Sequence, residues 1–341
     1  MQDTSSFTQL EYAELVGALT LPVKMLLDEY PPIFGDKRKR TFFEQEQASH
    51  KSDSGKILLS RWCYKHSKTL ALSSLKKSKL KIVIDEDKHY RYTDKITNDR
   101  NVWWMNFTSF LLFGLYGSDL FSQDKVQVME HPLMGSVTEF LDESDIFGME
   151  PETSVETNIK PLPFLLENVP QWFDVNGYVN VNGEKHSIYS ENFCESPMEL
   201  LNKAIVPTKN TERHNFIAAA APCDGKGQYT EQELLYAVQV ALCAFSSAKQ
   251  MDALHGKKTT AIHTGNWGCG SFHNNYELIY VCQLLAAMIS GVDEVIFHHP
   301  HQEEFEAAKK TVEKIAELGD DSTLEDIVDY LDENAYFWAV K

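Results

Sequence analysis

The stretch Thr264-Gly265-Asn266-Trp267-Gly268-Cys269-Gly270-Ser271-Phe272 decides how this chain is read. It lies between a β-like run, Thr259-Thr260-Ala261-Ile262-His263, and a helical run that begins near Asn274. Three glycines in six positions let the backbone turn with positive φ and approach a ligand closely. The N-terminus of the following helix is expected to present unpaired N–H groups to an anion. Such a stretch is a phosphate cradle by construction, and its alternative is a tight strand-to-helix turn with no ligand. It is neither a Walker loop, since no Gly-Lys-Ser/Thr follows, nor a Gly-x-Gly-x-x-Gly dinucleotide fingerprint.

Outward from the cradle, the text alternates strand and helix. Phe216 to Pro222 reads as a small-residue strand, and Thr230 with Glu233 forms a capping box that opens a helix running to about Leu254. After the cradle come a helix from about Asn275 to Ser290, ended by Gly291, a strand from Glu294 to His298, and helices over about Gln302 to Leu318 and Thr323 to Glu333. This order implies right-handed crossovers and a parallel or mixed sheet covered by helices. Ligands of such sheets bind beyond the carboxyl ends of the strands, where residues 264 to 272 fall. Earlier in the chain, Asn182-Gly183 between Tyr178-Val179-Asn180-Val181 and His186-Ser187-Ile188-Tyr189 signals a β-hairpin.

The first hundred residues have a different character. A helix is expected from Thr8 to Glu29, stopped by Pro31-Pro32, and a polar loop from Gly35 to Lys56. That loop contains Lys37-Arg38-Lys39-Arg40, a solvated charge run or, alternatively, a nuclear-localisation signal. Leu80 to Ile84 reads as a strand, and so does the aromatic-rich run from Val102 to Phe113.

Of 341 residues, 43 % are hydrophobic and 24 % charged, as in ordinary globular proteins that bury a substantial core. No apolar stretch approaches the ~20 residues of a membrane span, and Asp3, Glu11 and Glu14 before the first apolar run argue against a secretory signal. Six widely spaced cysteines without a Cys-x-x-Cys pair are expected to be free thiols in a reducing compartment, hence a cytoplasmic protein, with the nucleus as the alternative. Residues 1–100 hold 18 Lys and Arg against 14 Asp and Glu, while the remaining 241 hold 14 against 36. So acidic a C-terminal body is a poor surface for nucleic acid. The triplet of histidines in His298-His299-Pro300-His301 has no second cluster of ligands to complete a metal site, so no metal is expected, and no cofactor is implied.

Thr-Gly-Asn-Trp-Gly-Cys-Gly-Ser-Phe, followed by an apolar helix with Gln283 and Ala286-Ala287, resembles the C-terminal signature of the poly(ADP-ribose) glycohydrolases, macrodomain-fold enzymes that cleave ADP-ribose linkages. The clear resemblance covers about residues 215 to 300, and a weaker one reaches back to about residue 101. It implies an α/β, macrodomain-like mixed sheet flanked by helices over residues 101–341, preceded by an N-terminal, mainly helical accessory segment over residues 1–100. It further implies that Gly265, Gly268 and Gly270 permit backbone approach, that the N–H groups of Cys269, Gly270, Ser271 and Phe272 hold a diphosphate, and that Asn266 belongs to the same binding set. Phe272 would lie against a ribose or the diphosphate edge, Phe297 or His299 would stack on adenine, and Asn106 would sit near a ribose. Trp267 reads as a packing residue beneath the loop. Where the family continues Gly-Gly-Asp after the phenylalanine, this chain has His273-Asn274-Asn275.

The catalytic loop departs further. In the family a Gly-Gly-Gly run is followed by Gln-Glu-Glu; here Gln123 matches the Gln, Asp124 stands for the first Glu, Lys125 replaces the second, and the triple glycine is absent. Glycoside hydrolysis passes through an oxocarbenium-like state, beside which a carboxyl group is useful and an ammonium is not. Asp124 and Asp119 are the nearest carboxylates able to substitute, so Asp124, Gln123 and Asp119 form the expected catalytic set. The expected function is hydrolytic release of ADP-ribose from ADP-ribosylated protein, a single unit being favoured over a polymer by the acidic body. The alternative is a catalytically inactive ADP-ribose reader or partner-binding module. The expected partners are ADP-ribose or an ADP-ribosylated protein, without nucleic acid or membrane, together with a protein partner of the N-terminal segment.

Overall fold

A computed structural model of the chain describes residues 12–65, 72–148, 151–157, 160–208, 212–319 and 322–339. Its frame is an eight-stranded sheet built from β1 (Ala13–Pro22), β2 (Lys56–Tyr64), β3 (Lys81–Asp85), β4 (Arg100–Asn106), β5 (Phe164–Pro170), β6 (Arg213–Ala218), β7 (Thr259–Thr264) and β8 (Glu294–His298). The spatial order is β1-β2-β5-β6-β4-β7-β8-β3. From β6 to β3 every pairing is parallel, whereas β1, β2 and β5 extend the sheet in antiparallel fashion. The mixed α/β fold expected from the strand-helix alternation is thus the observed one.

Central parallel strands are covered on both faces, and their sequences show it. From Asn101 to Asn106 every residue of β4 is buried. The period-2 alternation splits the strand residues between two cores. Trp103, Met105, Ile217, Ile262, Val295 and Phe297 pack with α5 (Glu231–Leu254), α6 (Tyr276–Ser290), α7 (Gln302–Ile315) and α8 (Leu324–Glu333). Val102, Trp104, Phe216, Ala261 and Ile296 pack with α1 (Val23–Glu29), α2 (Lys37–His50), α3 (Gln123–Glu130) and α4 (Leu133–Asp142). The helix starts follow local chemistry: Thr230 and Glu233 form the expected capping box of α5, Thr323 and Asp326 form another at α8, and Gly291 ends α6 in the left-handed region at φ 68°. The Asn182-Gly183 hairpin is also present, with φ of 52° and 90° at the two turn residues.

The N-terminal hundred residues differ from expectation. The helix expected from Thr8 to Glu29 is instead β1 followed by the short α1; its residues before 12 lie outside the described ones. Leucines at helical spacing suggested the helix, but pairing along the edge of β2 prevails, and Pro22, which a helix interior tolerates poorly, marks the strand end. The expected loop from Gly35 to Lys56 contains α2, because Asp36 accepts hydrogen bonds from the N–H groups of Arg38 (2.8 Å) and Lys39 (3.2 Å) and caps its first turn, worth about 1 kcal/mol. Of the basic tetrad, Lys37 and Arg40 are exposed as in a solvated run, but the side chains are not all free. Arg40 donates to the carbonyls of Phe34 and Gly35, and Lys39 is fully buried. Residues 1–100 therefore contribute β1, β2 and β3 to the main sheet as well as helices. The run from Val102 to Phe113 is strand only as far as Asn106.

Candidate functional site

Asn106, Ala218, Thr264 and His298 end four adjacent parallel strands on one edge of the sheet. Thr264 begins the glycine-rich loop. Its hydroxyl contacts the side chain of Gln283 on α6, and Gln283 Nε2 donates to the carbonyl of Gly265 at 3.1 Å, so the helix behind the loop fixes its first turn. Trp267 is fully buried, as expected of a packing residue, and its Nε1 donates to the carbonyl of Ala219 at 3.1 Å. Gly268 has a φ of 70°, and a Cβ there would fall 2.3 Å from the Ala221 Cβ and 2.6 Å from the Asn274 Nδ2. Only glycine satisfies both conditions. Gly265 is backed by the His298 carbonyl, 3.0 Å from where its Cβ would be, while Gly270 faces open space.

The amide groups of this loop divide into two sets. The N–H of Cys269 donates to the carbonyl of Asn266 at 3.0 Å and is not available to a ligand, contrary to expectation. The N–H groups of Gly270, Ser271 and Phe272 make no hydrogen bond among the described residues, Gly270 and Ser271 are exposed, and Phe272 is half-buried against the core. Consecutive free amides in a turn form an anion-binding concavity. The helix N-terminus does not add to it. Asn275 caps α6 with its own side chain, accepting from Leu278 N–H at 3.1 Å, and donates its N–H to Tyr229 Oη at 3.0 Å. Asn274 braces the loop from below, donating to the carbonyls of Pro222 (2.7 Å) and Gly268 (3.1 Å). Cys269 is buried, burial pushes its thiol well up, and the one hydrogen-bond partner of its Sγ among the described residues is the carbonyl of Trp267, so it lacks the activation a nucleophile requires.

One strand away, the first turn of α3 is pinned to the end of β4 by Gln123. Its Nε2 donates to the carbonyl of Met105 at 3.0 Å, its Oε1 accepts from Phe107 N–H at 3.0 Å, and its own N–H donates to Tyr189 Oη at 2.9 Å. Met105 Sδ in turn lies 3.1 Å from Thr264 Oγ1, so the cradle and this turn meet at one residue. Asp124 is buried; its Oδ1 accepts from Ser122 Oγ at 2.7 Å and its Oδ2 from Lys125 Nζ at 2.5 Å. Asp119 is exposed and not part of this arrangement. Asn106 is fully buried, donating to Gln127 Oε1 at 2.9 Å, and its Oδ1 has no partner among the described residues.

At the other side of the cradle, Asn266 Nδ2 contacts the carbonyl of His299 at 3.4 Å, and Tyr280 Oη donates to Asn266 Oδ1 at 2.5 Å. His299 is exposed, with a left-handed φ of 47°, and lines a cavity of about 440 Å³ whose other charged residues are Glu86, Asp87, Lys88, Arg91 and Lys185, with Tyr178 and Asn180. Phe297 is not at the surface: it is fully buried between Tyr280 and Phe305, so of the two aromatic candidates only His299 faces a cavity. The cavity's charged side chains, of both signs, and hairpin tyrosine were not anticipated, because they come from segments distant in sequence. The hairpin signal at Asn182-Gly183 was the one available clue.

The histidine triplet does not converge. His298 is buried and hydrogen-bonded to His263 (2.9 Å), His299 faces the cavity, and His301 stacks on Tyr276. No metal-binding group of three or more His, Cys, Asp or Glu occurs among the described residues. His263 stacks on Trp104 with centroids 3.6 Å apart and contacts Asp94 Oδ2 at 3.3 Å. Burial pushes both His263 and His298 below the ordinary imidazole value, so the pair ties the ends of β7 and β8 together as neutral rings. Among the described residues, no helix is long and apolar enough to cross a membrane.

Residues 173–307 match the family model described as poly(ADP-ribose) glycohydrolase (PARG), macro domain fold. The matched residues include the cradle and His299 and leave out Asn106, Asp119, Gln123 and Asp124. The chain is similar to the crystal structure of poly(ADP-ribose) glycohydrolase from Deinococcus radiodurans in complex with ADP-ribose, at 15 % identity and a TM-score of 0.40, with 71 % of this chain and 90 % of that one covered. It is similar to the apo form of the same protein at 16 % identity and a TM-score of 0.35, with 71 % and 88 % covered. No curated protein matches the chain.

Proposed function

We propose that the chain, whose residues 173–307 match the poly(ADP-ribose) glycohydrolase family model, binds ADP-ribose and hydrolyses it from ADP-ribosylated protein. The observation that carries this reading is the row of three free amides at Gly270, Ser271 and Phe272 on an open, glycine-bearing turn at the carboxyl edge of the sheet. The diphosphate rests on these amides, Phe272 lies against its edge, and Gly265, Asn266, Gly268 and Cys269 shape the loop rather than donate to the ligand. The adenosine end extends past Asn266 into the cavity beside His299 and Tyr178. The opposite end, with the scissile bond, reaches the first turn of α3 at Gln123 and Asp124, with Asn106 beneath it.

In this arrangement Asp124 is the carboxylate that stabilises the oxocarbenium-like state and orients water, and Gln123 is its positioning residue. Asp119 is too exposed to share that role. The acidic body around the cradle favours a single ADP-ribose unit over a polymer. A second reading, a non-catalytic reader of ADP-ribose, is favoured by one specific observation: both oxygens of Asp124 are already engaged, by Ser122 and Lys125.

Incubation with ADP-ribosylated protein separates the two. Under the hydrolase reading free ADP-ribose accumulates, and Asp124→Ala lowers its rate about a hundredfold or more, the typical contribution of a positioned acid or base. Binding of ADP-ribose by calorimetry without any release would leave the reader. Absence of binding would remove both.

A further inference from the structure

A lysine and a carboxylate, Lys125 and Asp124, lie at the turn where hydrolysis would call for carboxylates alone. Lys125 and Asp124 form an ion pair in a nearly dry setting, with side-chain exposures of 10 % and 7 %. Lys125 Nζ makes this one hydrogen bond among the described residues, so two of its three donor positions are uncommitted. Lys39 comes from α2 behind it and is fully buried. Its Nζ donates to the carbonyls of Tyr116 (2.9 Å) and Leu120 (2.7 Å) and lies 5.6 Å from each of the ring centroids of Phe121 and Phe193. Burial foremost lowers the Lys39 ammonium to about 7, with Asp36, Asp124 and Asp119 opposing the shift and Lys125 adding to it. The nitrogen of Lys125 thus lies against the Asp124 carboxylate, with Lys39 as a second buried amine close enough to feel its charge. Burial and a neighbouring amine are features found around nucleophilic lysines, and the adjacent carboxylate supplies an acceptor for a proton. This turn adjoins the cradle through the contacts from Gln123 to Met105 to Thr264.

We propose that Lys125 forms an imine with the C1 aldehyde of the terminal ribose of free ADP-ribose, with Asp124 as its proton acceptor and donor. The inference rests on the ADP-ribose reading of the cradle and concerns the released ligand, whose terminal ribose opens to an aldehyde. Asp124 takes a proton from the Lys125 ammonium, and the neutral amine adds to C1 to form a carbinolamine. Asp124 then returns the proton to the departing hydroxyl, which leaves as water. The C–N double bond carries the positive charge that the ammonium carried before, so no oxidant or reductant is consumed. An ammonium that is out of place beside an oxocarbenium ion is well placed for this step.

The test uses the full chain with ADP-ribose and sodium cyanoborohydride, which reduces an imine to a stable secondary amine, followed by intact-mass and peptide mass spectrometry. The expected result is one adduct per chain, located at Lys125 and formed at least about tenfold faster than at the exposed Lys258 or Lys314. ADP, which has the diphosphate but no aldehyde, should suppress it. Lys125→Arg should abolish the adduct while Lys258→Arg leaves it unchanged. Calorimetric binding of ADP-ribose without a preferential adduct at Lys125 overturns the inference and leaves the ADP-ribose reading intact. Labelling scattered over exposed lysines, or an adduct that ADP does not suppress, overturns it as well. No binding of ADP-ribose at all overturns the ADP-ribose reading and this inference with it.

Discussion

Thr264 Oγ1 lies 3.1 Å from the sulfur of Met105, and the carbonyl of that same Met105 accepts a hydrogen bond from Gln123 at 3.0 Å. The loop that would hold the diphosphate and the turn that would act on the ribose are therefore coupled through one residue at the ends of neighbouring strands. Gln123 is the link that can be cut without touching the cradle. Gln123→Ala removes the side-chain partner of Phe107 N–H and one hydrogen bond to Met105 C=O, at a stability cost on the order of 1–3 kcal/mol. The expected outcome is a loss of ADP-ribose release of about tenfold or more with a smaller change in ADP-ribose affinity, read by product assay and calorimetry. Equal losses in both would mean that the turn and the cradle are not separable in this way.

The glycines of the cradle make a paired prediction. At Gly268 an added Cβ meets the Ala221 Cβ at 2.3 Å under a φ of 70°, so Gly268→Ala should cost on the order of 3 kcal/mol and lower the melting temperature. At Gly270 nothing lies within 4 Å of the added Cβ, so Gly270→Ala should leave the melting temperature nearly unchanged. Its methyl group nevertheless crowds the face where the free amides meet the diphosphate. ADP-ribose affinity should then fall about tenfold or more at Gly270→Ala. Unchanged affinity would move the ligand away from this loop.

These relationships were unequally legible in the sequence. The turn at Gly268, the Thr230–Glu233 box and the Asn182-Gly183 hairpin each depend on a few consecutive residues whose chemistry allows one local conformation, and each is present in the structure. β1 was misread because an edge strand takes its identity from its partner β2, 34 residues away at their closest approach in the register, Pro22 with Lys56. Lys39 was misread because its burial depends on the carbonyls of Tyr116 and Leu120, which no local pattern discloses. Asp36, one residue before the basic tetrad, was the available signal that a helix starts there. The assignment of the Cys269 N–H failed for a similar reason: the resemblance supplies the residue, while the internal turn to Asn266 decides where its proton points.

Cys269 follows from the same turn. A buried thiol raised by desolvation, with a carbonyl as its one hydrogen-bond partner among the described residues, should be inert, whereas Cys194 and Cys223 are exposed. Iodoacetamide applied to the folded protein should label Cys194, and Cys223 more slowly because burial foremost, with Asp224 contributing, pushes its thiol up to about 11. Cys269 should remain unlabelled until the protein unfolds. Cys269→Ala should retain ADP-ribose release within a few-fold, and a loss comparable to that of Asp124→Ala would show that the thiol takes part in the chemistry.

Glu130, at the end of α3, makes stability depend on pH. It is buried, accepts from Tyr92 Oη at 2.9 Å, and burial foremost raises its carboxyl to about 8 from an ordinary value of 4.5. Below about 4.5 the group is protonated in both the folded and the unfolded chain and imposes no penalty. Between that value and about 8 the folded state binds the proton more tightly than the unfolded one, so stability falls as pH rises through the window. Glu130→Gln preserves a neutral group of nearly the same shape and removes the titration. The variant should therefore gain stability over the wild type as pH increases from 5 to 8, on the order of a few kcal/mol at the upper end. Denaturant unfolding at both pH values measures the difference, and a variant that loses as much stability as the wild type between them would assign the slope to other groups.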